Sequence, residues 1–166
     1  PESDWHDIGA VVDHLRKLRG VERVSLIGWS LGGPRAGGYA SQHPEKVARL
    51  VLLSPAYRRA TPPRQATARA VMNTQSRAEF DANWDRQIGC PDQFDAAARN
   101  AVWSEMMAAD PVGASWGAGV RRAPNLGLRG GDASVVAKMR VPALFVAPAH
   151  DVQVTPKNVG ELMADY

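Results

Sequence analysis

Val24-Ser25-Leu26-Ile27-Gly28-Trp29-Ser30-Leu31-Gly32-Gly33 is the stretch on which the reading of this chain turns. Its first half is short, apolar and rich in branched side chains, which predicts a buried strand over 23–28. The second half, Gly28-Trp29-Ser30-Leu31-Gly32, is a G-x-S-x-G pentapeptide that runs into a segment able to form a helix from about Leu31 to Gln42. A serine at the apex of so sharp a turn takes a strained backbone, and the strand and helix press together around it. Gly28 and Gly32 are therefore expected to be glycine because a side chain would not fit. Chance alone gives about 0.07 such pentapeptides in a chain of this composition, so the context of strand before and helix after carries much of the inference. At the N-terminus of that helix, unpaired N–H groups and the helix dipole favour negative charge. The Leu31 N–H would face an oxyanion forming on an attacked carbonyl carbon.

Working outward, residues 4–19 read as an amphipathic helix, with Trp5, Ile8, Val11, Val12, Leu15 and Leu18 on one apolar stripe, Ser3 or Asp4 as cap and Gly20 as terminator. After the elbow helix, His43-Pro44 imposes a stop, because the residue before proline avoids the helical region. Val47 to Ser54 is nearly continuous in apolar residues, as expected of a parallel strand covered on both faces. Helix, strand, helix, strand predicts an α/β fold with a mostly parallel sheet and crossover helices.

From residue 55 to 131 the pattern changes to helical segments at about 64–74, 77–88 and 93–108, with Phe94, Ala98, Ala101 and Val102 on one face. A glycine-rich run from Val112 to Gly131 reads as irregular loop. This stretch is expected to be a helical cap inserted between sheet strands, with 1–54 and 132–166 forming the α/β core. Trp103, Met106, Met107 and Trp116 could line an acyl or aromatic pocket, or pack the insert's own core. The α/β pattern resumes with a helix at 133–139 that Asp132 would cap, a strand at 141–147, and Thr155-Pro156 opening a helix over 157–164. Asp151 falls just past the last of these strands, at the sheet end where ligand-facing groups collect.

Composition excludes several classes. The 166 residues carry a net charge of +3 and a pI near 9.4, from arginines scattered along the chain and not from a basic run with interleaved aromatics, so no nucleic-acid partner is expected. No stretch approaches a membrane span. The single cysteine, Cys90, allows no internal disulfide and supports no metal cluster, and no metal or cofactor is called for. The lack of a signal-like start predicts a cytoplasmic setting, although the chain begins with Pro1. Oligomeric state is not legible.

A serine hydroxyl needs a base, usually histidine, and that histidine needs a carboxylate to hold its tautomer. On this elbow the chain order is serine, acid, histidine, and Ser30 and Asp151 fill the first two places. All four histidines, His6, His14, His43 and His150, precede Asp151. His150 is its immediate neighbour and projects away from it on an extended segment.

The amphipathic helix, Gly28-Trp29-Ser30-Leu31-Gly32-Gly33, His43-Pro44-Glu45-Lys46-Val47, the apolar strand, the helical insert, Val141-Pro142-Ala143-Leu144-Phe145-Val146 and His150-Asp151 together resemble the α/β-hydrolase fold superfamily, in its serine hydrolase branch. The resemblance implies Ser30 as nucleophile, the Leu31 N–H as an oxyanion donor, Asp151 as triad acid and residues 55–131 as cap. It also implies earlier strands and a catalytic histidine that these 166 residues do not contain. The expected reaction is cleavage of a carboxylic ester or related acyl bond of a small molecule. The same residues could serve a C–C bond hydrolase, an aminopeptidase, an acyltransferase or a perhydrolase, and a hydrolase-fold binding module without turnover is the alternative from another class.

Overall fold

The computed structural model describes residues 2–60, 73–90, 92, 94–122 and 131–166, and the chain divides into two compact units, 1–64 with 127–166 and 65–126.

In the first unit, α1 (Glu2–Arg19), β1 (Val24–Trp29), α2 (Gly32–Gln42) and β2 (Val47–Leu53) follow in order, and α6 (Ala133–Val136), β5 (Ala143–Val146) and α7 (Pro156–Asp165) complete it. The three strands form one parallel sheet in the order β1-β2-β5, so the apolar β2 is central. Leu26 lies beside Leu50 and Gly28 beside Leu52, while Leu52 lies beside Phe145. That face carries the core, in which Val12, Ala36, Tyr39, Ala40, Leu50, Leu52, Met139 and Leu162 are buried together. Small residues let α1 and α2 approach closely: a Cβ on Gly38 would sit 2.6 Å from the Trp5 ring.

Several expectations need correction here. Asp4 lies inside α1, where its carboxylate takes a 2.9 Å hydrogen bond from Arg35 Nε. Gly20 does end α1, and the Val21 N–H returns to the Arg16 carbonyl in a Schellman-type closure. Of the stripe on α1, Trp5, Ile8 and Val12 join the core, but Val11, Leu15 and Leu18 are exposed, because the helix lies against α2 along one narrow line. The sheet is not covered on both faces by the described residues. Ile27, Trp29 and Leu144 point to the side away from the core and are 74%, 71% and 59% exposed.

The second unit holds β3 (Asn73–Gln75), α3 (Arg77–Asp85), α4 (Ala96–Ala109), α5 (Pro111–Ala114) and β4 (Val120–Arg122). The helix expected over 64–74 lies outside the described residues except for Asn73 and Thr74, which are strand. β3 pairs antiparallel with β4, inside the run expected to be loop, and Arg121 holds this region by hydrogen bonds to Thr74 Oγ1 (2.9 Å) and the Gly113 carbonyl (2.7 Å). Three-residue strands are too short to show periodicity, so this small sheet has no signature in the sequence. Ser76 and Glu79 form a reciprocal cap at the start of α3. On α4 the expected face of Phe94, Ala98, Ala101 and Val102 is exposed. The helix instead turns Arg99 and Trp103 inward, where Trp103 meets Phe80 of α3 at a ring separation of 5.3 Å and Arg99 pairs with Asp81 and Asp85.

Candidate active site

The geometry of the elbow follows from how β1 ends. Ser30 has φ of 51°, the left-handed region that a residue with a side chain enters at a cost. Three hydrogen bonds hold it there. The Ser30 N–H donates to the Leu53 carbonyl at 3.0 Å, and the Ser30 carbonyl accepts from the N–H groups of Gly33 and Ala56, each at 3.0 Å. Close packing fixes the turn from both sides. A Cβ on Gly28 would stand 2.6 Å from the Gly32 carbonyl oxygen, and one on Gly33 would stand 2.6 Å from Pro55 Cβ.

Gly32 departs from expectation. No atom lies within 4 Å of where its Cβ would be, so the steric demand assigned to it falls on Gly33 instead. The reason is that the elbow strand presses on the backbone of residue 32 through Gly28, while the open side of residue 32 faces away. Leu31 precedes α2 with helical angles (φ −63°, ψ −17°) and an exposed side chain.

Asp151 follows β5 by a short turn in which its own N–H returns to the Pro148 carbonyl. Its Oδ1 accepts the N–H groups of Gln153 and Val154, each at 2.9 Å. Burial pushes the carboxyl up, but the Val154 N–H, the Ser54 hydroxyl and the Gln153 N–H outweigh it and hold Asp151 below the ordinary carboxylate range, so it is charged at neutral pH. Asp151 does not cap α7. Thr155 does that, in a reciprocal pair with Asn158. Asp132 caps α6 as expected.

Ser54 is the residue that sequence reasoning missed. It is 4% exposed, has φ of 41°, and its N–H donates to the Val146 carbonyl at 2.9 Å. Because the strands are parallel, Ser30, Ser54 and Asp151 leave the sheet at the same end. Backbone hydrogen bonds run across that rim from Ser30 to Leu53 and from Ser54 to Val146. A non-glycine serine between a strand and a proline was the available clue.

His6 and His14 are exposed on α1; His150 is exposed next to Asp151, in the turn closed by the Asp151 N–H on the Pro148 carbonyl and not on the extended segment expected. His43 closes α2, stacked near Tyr39 with ring centroids 4.8 Å apart; eleven helical residues, about 16 Å, separate it from the elbow. Among the described residues no group of His, Cys, Asp and Glu could hold a metal ion.

In the second unit, Trp103 lies against Phe80 with the Arg77 guanidinium over its ring, and Met106 and Met107 are half-buried. Trp116 is 65% exposed beneath Arg121. A shallow concavity of about 430 Å³ in this unit is lined by other residues, among them Gln75, Glu79, Asn83, Arg86 and Arg122. Among the described residues no helix is long and apolar enough to cross a membrane.

Comparison with known proteins agrees with this architecture. Residues 1–131 match the family model described as alpha/beta hydrolase fold. Over 45 residues the chain is 40% identical to the abhydrolase domain-containing protein lid-1 of Caenorhabditis elegans, covering 27% of this chain and 12% of that protein. The solved structure of Rv0554 from Mycobacterium tuberculosis aligns with a TM-score of 0.57 at 17% identity, covering 96% of this chain and 58% of that one. The lip1 protein of Acinetobacter baumannii AYE aligns with a TM-score of 0.50 at 15% identity, covering 95% and 56%. The chain thus spans little more than half the length of these structures and about an eighth of the curated relative. With a parallel sheet, crossover helices and a strand–elbow–helix junction built as described, the chain belongs to the alpha/beta hydrolase fold family.

Proposed function

We propose that the protein carrying this chain is a serine hydrolase that cleaves a carboxylic ester or related acyl bond. Ser30 is the nucleophile, Asp151 the acid that orients the base, and the Leu31 N–H one donor to the oxyanion. The base is a histidine from outside these 166 residues, since on this elbow the histidine follows the acid in chain order and all four here precede Asp151. That imidazole takes the Ser30 Oγ proton as Oγ bonds to the carbonyl carbon, then returns it to the departing alcohol or thiol. Water, deprotonated by the same imidazole, releases the acyl group. Asp151 remains ionised throughout and stabilises the imidazolium. No cofactor takes part in this scheme, and a cytoplasmic setting is proposed with it.

The observation that carries the reading is the left-handed Ser30 at the strand–helix junction, on the same rim of the sheet as a charged, hydrogen-bonded Asp151. A strained conformation clamped by three hydrogen bonds costs on the order of 1–3 kcal/mol, and such strain gathers at functional positions. The test is labelling of the full-length protein with a fluorophosphonate probe. Labelling is expected, and Ser30→Ala abolishes it; labelling that survives the substitution overturns the assignment.

A further inference from the structure

We infer that the clasp of Tyr57 and Arg59 on Asp165 is a positioning device for the oxyanion donor: it holds Ala56 against the Ser30 carbonyl and thereby aims the Leu31 N–H. The inference rests on the roles proposed above for Ser30 and Leu31.

The Ser30 carbonyl and the Leu31 N–H are the two ends of one peptide unit. That unit is planar and trans, so the two groups point in opposite directions and turn together. Whatever fixes the carbonyl fixes the N–H. The carbonyl accepts two hydrogen bonds, from the Gly33 N–H and the Ala56 N–H, each at 3.0 Å. The Gly33 donor belongs to the first turn of α2 and moves with the elbow. The Ala56 donor arrives from the segment after β2 and refers the peptide unit to the rest of the sheet. Pro55, the residue before it, is buried against Gly33, where a Cβ on that glycine would stand 2.6 Å away.

The side chain of Ala56 is too short to anchor that donor, and the anchors come from the next three residues. Tyr57 is buried, and its hydroxyl bonds the Asp165 carboxylate. The Arg58 N–H donates to the Gly131 carbonyl at 3.0 Å. Arg59 grips the same carboxylate with Nε at 2.8 Å and Nη2 at 2.9 Å, one nitrogen on each oxygen, which fixes direction as well as distance. Asp165 is the last residue of α7, at a helix end where the dipole disfavours an anion. A helix that merely stops gains nothing from a carboxylate there, whereas one that fastens a neighbouring segment does. The Arg59 side chain is 55% exposed, and an ion pair so open to water adds little to global stability. Placement of the segment is its larger effect.

The test uses the full-length protein, with p-nitrophenyl butyrate as substrate and propyl trifluoromethyl ketone as inhibitor. The ketone's adduct with Ser30 Oγ carries an oxyanion where the ester's would stand. Removing an oxyanion donor outright costs about 100- to 1,000-fold in kcat, and misaiming one costs less. Tyr57→Phe combined with Arg59→Ala opens the clasp and leaves Ser30, Leu31 and Ala56 untouched. It is expected to lower kcat about tenfold and to weaken the ketone by a similar factor, with KM unchanged. Should the double variant fail to fold, Arg59→Ala, at an exposed side chain, decides by the same readings. Wild-type kcat with the clasp open overturns the inference, as does a loss of kcat while the ketone binds at wild-type strength. No turnover by the wild type, or turnover that survives Ser30→Ala, removes the hydrolase reading and this inference together. Turnover that needs Ser30 and ignores the open clasp removes this inference alone.

Discussion

A methyl group added at Gly28 would meet the Gly32 carbonyl oxygen at 2.6 Å, and backbone on both sides of that contact has nowhere to retreat. Gly28→Ala is therefore expected to destabilise the protein by about 1–3 kcal/mol, read as a lower urea midpoint. Gly32→Ala, in open space at the first turn of α2, is expected to stay within about 0.5 kcal/mol of wild type. Equal losses at the two positions would contradict this account. The pair also shows how far glycine spacing can be read. The G-x-S-x-G pattern located the strained serine and the demand at Gly28. It gave no means of telling that the second close contact is made by Gly33 on Pro55, because Pro55 arrives from another strand. Ser54 escaped for the same reason: the Val146 carbonyl that its N–H meets is distant in the chain, and a serine before a proline reads locally as a turn.

At the scale of elements, the segment after β2 is fastened to the end of α7. The Tyr57 hydroxyl bonds the Asp165 carboxylate, and Arg59 makes a two-pronged pair with it at 2.8 and 2.9 Å. Burial, then the bond to Asp165, pushes the Tyr57 phenol up to about 12. The folded state therefore holds this proton more tightly than the unfolded chain, whose tyrosine titrates near 10. Its contribution to stability is complete below pH 10 and is lost as pH rises from 10 to about 12. Wild type is expected to lose denaturant resistance more steeply over that window than Tyr57→Phe; parallel curves for the two proteins would remove Tyr57 from the explanation. Elements with strong local signals were legible: β2 from its apolar run, α1 from its helical spacing, and α6 and α7 from Asp132 and Thr155. β3 and β4 were not, since three residues carry no period and their pairing is set by Arg121 reaching across the unit.

For the molecule as a whole, the dominant physical fact is the one-sided sheet. Ile27, Trp29 and Leu144 form an apolar surface away from the core, and β1 and β5 are edges among the described residues. Exposed apolar faces and unpaired strand edges favour association. The 166-residue chain on its own is expected to self-associate in sedimentation experiments, and Ile27→Thr combined with Leu144→Thr to raise the monomer fraction. A monodisperse wild-type chain at micromolar concentration would contradict this. The family was legible from the elbow and the order of elements around it. A sequence run such as Val47–Leu53 signals that both faces of a strand are apolar, but not which side these residues themselves can cover.

Among the described residues, the hydrogen bonds and close contacts that hold the elbow reach no further along the chain than Ala56: the Leu53 carbonyl, the Pro55 ring and the Ala56 N–H take part. The second compact unit begins only at Gln65. The corner on which Ser30 stands is thus drawn, among the described residues, from one continuous stretch of the first unit, so its geometry is inherited as a single block of sequence.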